Sequence, residues 1–244
     1  MAYGLLLAAD DAGIGKEMIT LYELVGAEGR SFSPNVWRSR MALAHKNLPC
    51  ETVPVRFSEI ASILDGKQKT VPVISDSGKI VADSWAIANY LEDNYPRLPS
   101  LFGGRAGRDL TLFVQSWTAD SLHRGVIDLV LLDIYSQLHE SDKAYFRSTR
   151  ERRFGRPLED VQAGRETRVA AFRAGLQPLR TALAAHPWLG GSSPLYADYL
   201  VFSAFQWARM VSRFALIAED DPIAQWFERC LDLFNGLGRN ALPR

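Results

Sequence analysis

Ser33-Pro34-Asn35 is the first place where residue type and position together offer chemistry. Ser33 puts a hydroxyl at the exposed start of a helix that Pro34 opens. A helix N-terminus carries about half a positive charge and several unpaired N–H groups, so it suits an anion, a thiolate included. The same residues also read as a plain N-cap. Asn35 offers an amide N–H₂ to the same spot. Val71-Pro72 is the second candidate. A cis bond there would leave the main-chain N–H and C=O of Val71 open to an extended peptide, whereas a trans bond would make Pro72 an ordinary edge-strand proline. Asp83-Ser84 is the third: the N–H and hydroxyl of Ser84 would hold a carboxylate at another helix start, or the pair is a simple cap. Together, three such sites on one small unit would cradle a short peptide with several charges.

The elements that must position these residues follow in order. Ile19–Leu24 is β-branched and aromatic and reads as a strand. Val36, Trp37, Arg40, Met41 and Ala44 recur at helical spacing up to the stop at Asn47-Leu48-Pro49. Glu51–Val55 is a second strand, Ile60–Asp65 a short helix or turn, and Val71–Ile74 a third strand. Asp76-Ser77-Gly78 turns it into a fourth, Lys79–Ala82. A helix follows over Trp85–Tyr95, and the Pro/Gly/Arg-rich stretch Pro96–Gly107 is the best domain boundary. Beyond it strand signals vanish. Helical patterns run over Leu110–Leu138 and Leu158–Ala185, broken by the basic stretch Arg147–Arg156. After the loop Trp188–Pro194, Tyr196–Leu216 predicts a buried central helix and Pro222–Phe234 a last one.

The composition excludes several functions. The 244 residues are 47% hydrophobic, which is ample for a core, and 28 basic residues balance 28 acidic ones. A neutral chain does not advertise nucleic acid or an anionic membrane as partner. Cys50 and Cys230 are too few and too far apart for a disulfide scaffold or zinc site, and they suit the reducing cytoplasm. Residues 1–17 contain no signal peptide and read as an extension ahead of Met18. No run approaches the ~18 apolar residues of a membrane span. His45, His123, His139 and His186 lack metal-ligand spacing. No G-x-S-x-G elbow or dinucleotide fingerprint is present. The run Arg147, Arg150, Arg152, Arg153, Arg156 is interleaved with acids and predicts a solvated helix face.

Taken together, these residues resemble the glutathione transferase family from residue 18 to about 235. Val71-Pro72 is similar to its cis-proline, Asp83-Ser84 to its γ-glutamyl-binding acid–serine pair, and Ser33-Pro34 with Arg38 and Arg40 to a serine-type active-site segment. Leu189-Gly190-Gly191 with Ala197-Asp198 resembles the loop and central helix of the all-helical domain, although Leu195 stands where many members carry the Ser or Thr of a capping box. Ser33–Trp37, Asp83–Ala88, Arg152–Gly155 and Tyr196–Tyr199 are similar to bacterial β-etherase-type transferases and their fungal relatives.

The resemblance implies an α/β plus all-α fold. A thioredoxin-like glutathione-binding domain would span 18–96, a linker 97–107, and a helical-bundle domain 108–244. It implies glutathione as cosubstrate, a hydrophobic aromatic molecule as second substrate, and a homodimer. The expected catalytic residue is Ser33, with Asn35 in reserve, while Val71, Pro72, Asp83 and Ser84 would bind glutathione. Arg38 would add positive potential beside Asn35 or stand solvated. A free thiol ionises near pH 8.5, so lowering its pKa by about two units would make thiolate the majority form at neutral pH. Serine is then not the nucleophile; it stabilises the cosubstrate's sulfur. The competing reading is a non-catalytic binding protein of the same fold for aromatic ligands. A glutathione-dependent reductase would want Cys where Ser33 stands.

Overall fold

The computed structural model describes residues 18–241, so the extension expected over 1–17 lies outside the described residues. Four strands, β1 (Ile19–Leu24), β2 (Cys50–Val55), β3 (Val73–Asp76) and β4 (Lys79–Ala82), form one sheet in the order β2-β1-β3-β4. β1 runs parallel to β2, with Ile19 opposite Cys50, and antiparallel to β3, with Leu21 opposite Ile74. The hairpin through Ser77-Gly78 pairs β3 with β4. Central β1 buries Ile19, Leu21 and Leu24, whereas edge strand β4 is largely exposed. β3 begins at Val73 rather than Val71, since proline has no N–H to give a ladder.

Helix α1 (Pro34–His45) buries Val36, Trp37, Met41, Ala42 and Leu43 and packs on α9. Helix α2 (Ser84–Asn94) follows β4 directly. Among the described residues every later element is helical: α3 (Arg105–Trp117), a π turn (Thr118–His123), α4 (Arg124–Gln137), α5 (Glu140–Phe154), α6 (Leu158–Gln162), α7 (Arg165–Ala174), α8 (Gln177–Ala185), α9 (Tyr196–Val211) and α10 (Pro222–Gly236). None is long and apolar enough to cross a membrane.

Three differences from the sequence reading have local causes. The basic stretch 147–156 does not break the helices; α5 runs through it to Phe154 and stops at Gly155, whose φ of +69° is left-handed. Arg147 belongs to that helix and pairs with Glu151 and Glu159. The pattern over 158–185 splits into α6, α7 and α8 around Gly164 and Gly175. α9 ends at Val211, short of Leu216, because Ser212 turns extended and its hydroxyl donates to Asp133.

All of α9 except Arg209 is buried, as a helix apolar on every side requires. Its first turn is fixed by Asp198. That carboxylate accepts from the N–H groups of Leu189 (2.8 Å), Gly190 (3.0 Å) and Leu195 (3.0 Å), and from the indole N–H of Trp226 (3.0 Å). Leu195 has no acceptor to complete a reciprocal capping box, so Asp198 secures both the helix and the preceding loop alone.

Candidate active site

Ser33 takes the N-cap position of α1, with φ −60° and ψ 127°, and its C=O accepts from Trp37 N–H at 3.1 Å. Its hydroxyl makes no capping bond. Pro34 occupies the first helical turn and brings no N–H. The result is a hydroxyl at the positive end of a helix that is not spent on the helix itself. The side chain of exposed Asn35 also makes no hydrogen bond to a described residue.

The Val71–Pro72 bond is cis. Neither main-chain group of Val71 bonds to a described residue, while the C=O of Pro72 accepts from Asp83 N–H at 3.2 Å. That bond sets the acid–serine pair beside the proline. Asp83 carries a φ of +79°, uncommon for a residue with a side chain. One carboxylate oxygen caps α2 by accepting from Trp85 N–H (2.9 Å) and Ala86 N–H (3.0 Å). Buried Ser84 gives its C=O to the hydroxyl of Tyr196 at 2.9 Å, and its own hydroxyl bonds to no described residue.

A cavity of about 540 Å³ joins the two halves of the chain. Ser33, Asn35, Thr70 and Val71 form one wall; Ile127, Tyr145, Phe146 and Trp207 form the other, with Phe57 between. Pro72, Asp83 and Ser84 do not line it; they stand next to it through the Pro72–Asp83 bond. Among the described residues no group of acids, histidines and cysteines is arranged to hold a metal.

Arg38 is neither solvated nor turned to Asn35. It is 5% exposed, because α1 is covered by α9 on that face. Its guanidinium donates to Ser203 Oγ (3.3 Å) and His123 Nε2 (3.1 Å), with no carboxylate in ion-pair range among the described residues. Burial pulls its ionisation below the usual arginine range, against support from Tyr196 and Asp83. His123, on the cavity wall, is pushed down to about 3 by burial, with the Arg38 charge acting the same way. Neutral His123 therefore accepts from Arg38 at Nε2 and carries its proton on Nδ1.

The sequence places Arg150 and Arg153 on a solvated face; Arg153 is exposed and Arg150 half-buried, and what that reading missed is their place at the cavity. Both line the cavity, with Arg150 lying 4.6 Å from the ring centre of Phe146 and 5.5 Å from that of Phe57. The i, i+4, i+7 spacing of Phe146, Arg150 and Arg153 carried the signal of one shared helix face. Trp207, expected in the core, is buried and also forms part of the wall.

Comparison with known proteins adds a second, independent line. The family model described as Glutathione S-transferase, C-terminal domain, matches residues 110–233, and that described as Glutathione S-transferase, N-terminal domain, matches residues 29–100. A glutathione S-transferase-like protein of Aspergillus flavus, ustS, is 27% identical over 77% of this chain and 78% of its own. A Ceriporiopsis subvermispora glutathione S-transferase, solved in complex with glutathione, is 28% identical, with a TM-score of 0.77 over 89% of this chain and 96% of that one. Glutathione transferase GSTFuA3 of Phanerochaete chrysosporium is 28% identical, with a TM-score of 0.72 over 91% and 93% of the two chains. With both domains matched by the same family, and with its thioredoxin-like sheet unit followed by a helical domain, the chain belongs to the glutathione transferase family.

Proposed function

We propose that Ser33 activates the thiol of glutathione for attack on an aromatic electrophile held in the cavity. The observation that carries this reading is the uncapping hydroxyl of Ser33, which shares one cavity with the unpaired main chain of Val71 and an aromatic wall. In this reading Val71 pairs with the cysteinyl unit, Pro72 and Asp83 shape that edge, and Ser84 takes the γ-glutamyl carboxylate at the start of α2. The thiolate attacks the electrophilic carbon and the leaving group departs with its bonding electrons. For a β-aryl ether that group is a phenolate; for a halogenated ring it is a halide. Glutathione is consumed as cosubstrate.

The test is thiolate absorbance of bound glutathione against pH in the wild type, Ser33→Ala and Asn35→Ala, alongside turnover of chlorodinitrobenzene and a β-aryl ether. Loss of one hydrogen bond to a charged sulfur is about 1.5–3 kcal/mol, so Ser33→Ala should raise the thiol pKa by about one to two units. If only Asn35→Ala moves the titration, the serine assignment is wrong. Turnover of the ether decides whether ether cleavage belongs to the activity. The exposed side chains of Leu110 (71%), Leu112 (49%) and Phe113 (73%) on α3 support a homodimer, which sedimentation should report as twice 27.2 kDa. The two free cysteines support a reducing compartment, the cytoplasm.

A further inference from the structure

We propose that the acceptor at this site is an aromatic anion, an aryl carboxylate or sulfonate, held by Arg124, Arg150 and Arg153; this rests on the thiol-activating reading above. The chain as a whole is neutral, with 28 charges of each sign. Its cavity is not: the lining holds Lys69, Arg124, Arg150 and Arg153 and no Asp or Glu. Several arginines elsewhere pair with carboxylates, as Arg147 does with Glu159, Arg165 with Asp133 and Arg180 with Asp221, although Arg38 does not. None of the four cavity cations makes an ion pair among the described residues. Asp120 lies in an adjoining hollow that Arg124 and Arg153 also line, so one carboxylate there meets two guanidinium groups.

The arrangement selects for rings as well as charge. Arg150 and Arg153, three residues apart on α5, share a face with Phe146. The Arg150 guanidinium stacks on Phe146 and Phe57, and its hydrogen bonds to Thr149 Oγ1 at 2.9 Å and to Tyr145 leave donors to spare among its five N–H groups. A planar guanidinium held on rings presents its donor fork edge-on, the geometry that a carboxylate or sulfonate accepts. Burial, and then the neighbouring Arg153 charge, disfavour the Arg150 cation against support from Tyr145, a cost that a bound anion would offset. The same wall holds the indole N–H of Trp207, which is buried and has no acceptor among the described residues. Lys69 stands two residues before Val71, on the peptide side, so the arginines of α4 and α5 are left to the acceptor.

The experiment compares chlorodinitrobenzene with its carboxylate, chlorodinitrobenzoate, each rate divided by its uncatalysed rate with glutathione. In both reactions the thiolate bonds to the ring carbon bearing chlorine, chloride leaves, and the thiol proton passes to solvent. The wild type should favour the carboxylate by about tenfold or more in kcat/KM, and Arg150→Gln/Arg153→Gln should erase that ratio. Fluorescence titration with anilinonaphthalene sulfonate and the uncharged phenylnaphthylamine reads the same preference without turnover. Turnover with an acceptor ratio near one, the same in both proteins, overturns the anion site and leaves thiol activation standing. A binding preference for the sulfonate, lost in the double variant of a chain that conjugates neither acceptor, supports the anion site and removes thiol activation. If the double variant raises the KM for glutathione while the acceptor ratio persists, the arginines serve the peptide and the proposal fails.

Discussion

Acidification should weaken the fold through His123, and by an amount that the structure sets. In the folded chain its ionisation falls from the ordinary 6.5 to about 3, chiefly through burial and then through Arg38. The unfolded chain binds this proton below about pH 6.5 and the folded chain does not, so stability present above that pH is lost as pH falls toward about 3. Between pH 6.5 and about pH 5 the unfolded state gains about 1.6 kcal/mol from this one proton. His45 acts with the same sign, since burial lowers it as well, so the wild-type slope alone does not isolate His123. His123→Gln does. A glutamine carbonyl accepts from Arg38 where Nε2 does now, and it does not titrate. Urea unfolding at constant ionic strength should show the wild type losing about 1.6 kcal/mol more than the variant across that window. Equal slopes in the two proteins, or a ring resonance of His123 that titrates near 6.5 in the folded chain, would refute the reasoning.

Two further outcomes are expected. Ser84→Ala should weaken glutathione binding by about 1.5–3 kcal/mol in calorimetry, the value of one charge-assisted hydrogen bond; an unchanged Kd removes Ser84 from the peptide site. Asp198→Ala should cost about 3–5 kcal/mol of stability, because it strands three main-chain N–H groups and the Trp226 indole in a buried place. A melting temperature near that of the wild type would contradict that accounting.

The succession of strands in the first half is legible in the sequence because each is short, β-branched and set off by turn signals such as Asn47-Leu48-Pro49 and Ser77-Gly78. The settings of Ser33, Val71 and Ser84 are legible for a related reason, since helix starts and X-Pro bonds announce themselves locally. The cavity wall on α5 is not. Arg147, Arg150 and Arg153 look alike in the sequence, yet Arg147 meets Glu159 outside while the other two meet the cavity. Only the docking of α5 against the sheet domain separates them. There Asp142 accepts from the N–H groups of Phe57 (3.2 Å) and Ser58 (3.0 Å), and residues some 85 apart in sequence carry no local sign of that contact. Arg38 fails as a surface arginine for the same reason: its environment belongs to α9 and His123.

The π turn at Thr118–His123 has a consequence for how the cavity wall changes over generations. A π turn accommodates one residue more than an α-helix would, and each residue of an α-helix advances about 100° around the axis. The azimuth at which Arg124 and Ile127 meet the cavity is therefore offset by about one such step from the azimuth that an unbroken helix would give them. Removing a single residue from the turn would let α3 and α4 fuse into one regular rod. The outer face of α3 would stay where it is, while the wall residues beyond the turn would rotate about the helix axis relative to Ser33. A one-residue deletion or insertion here re-indexes the cavity-lining residues of α4 at once, a larger change in cavity shape than replacing any one side chain on it.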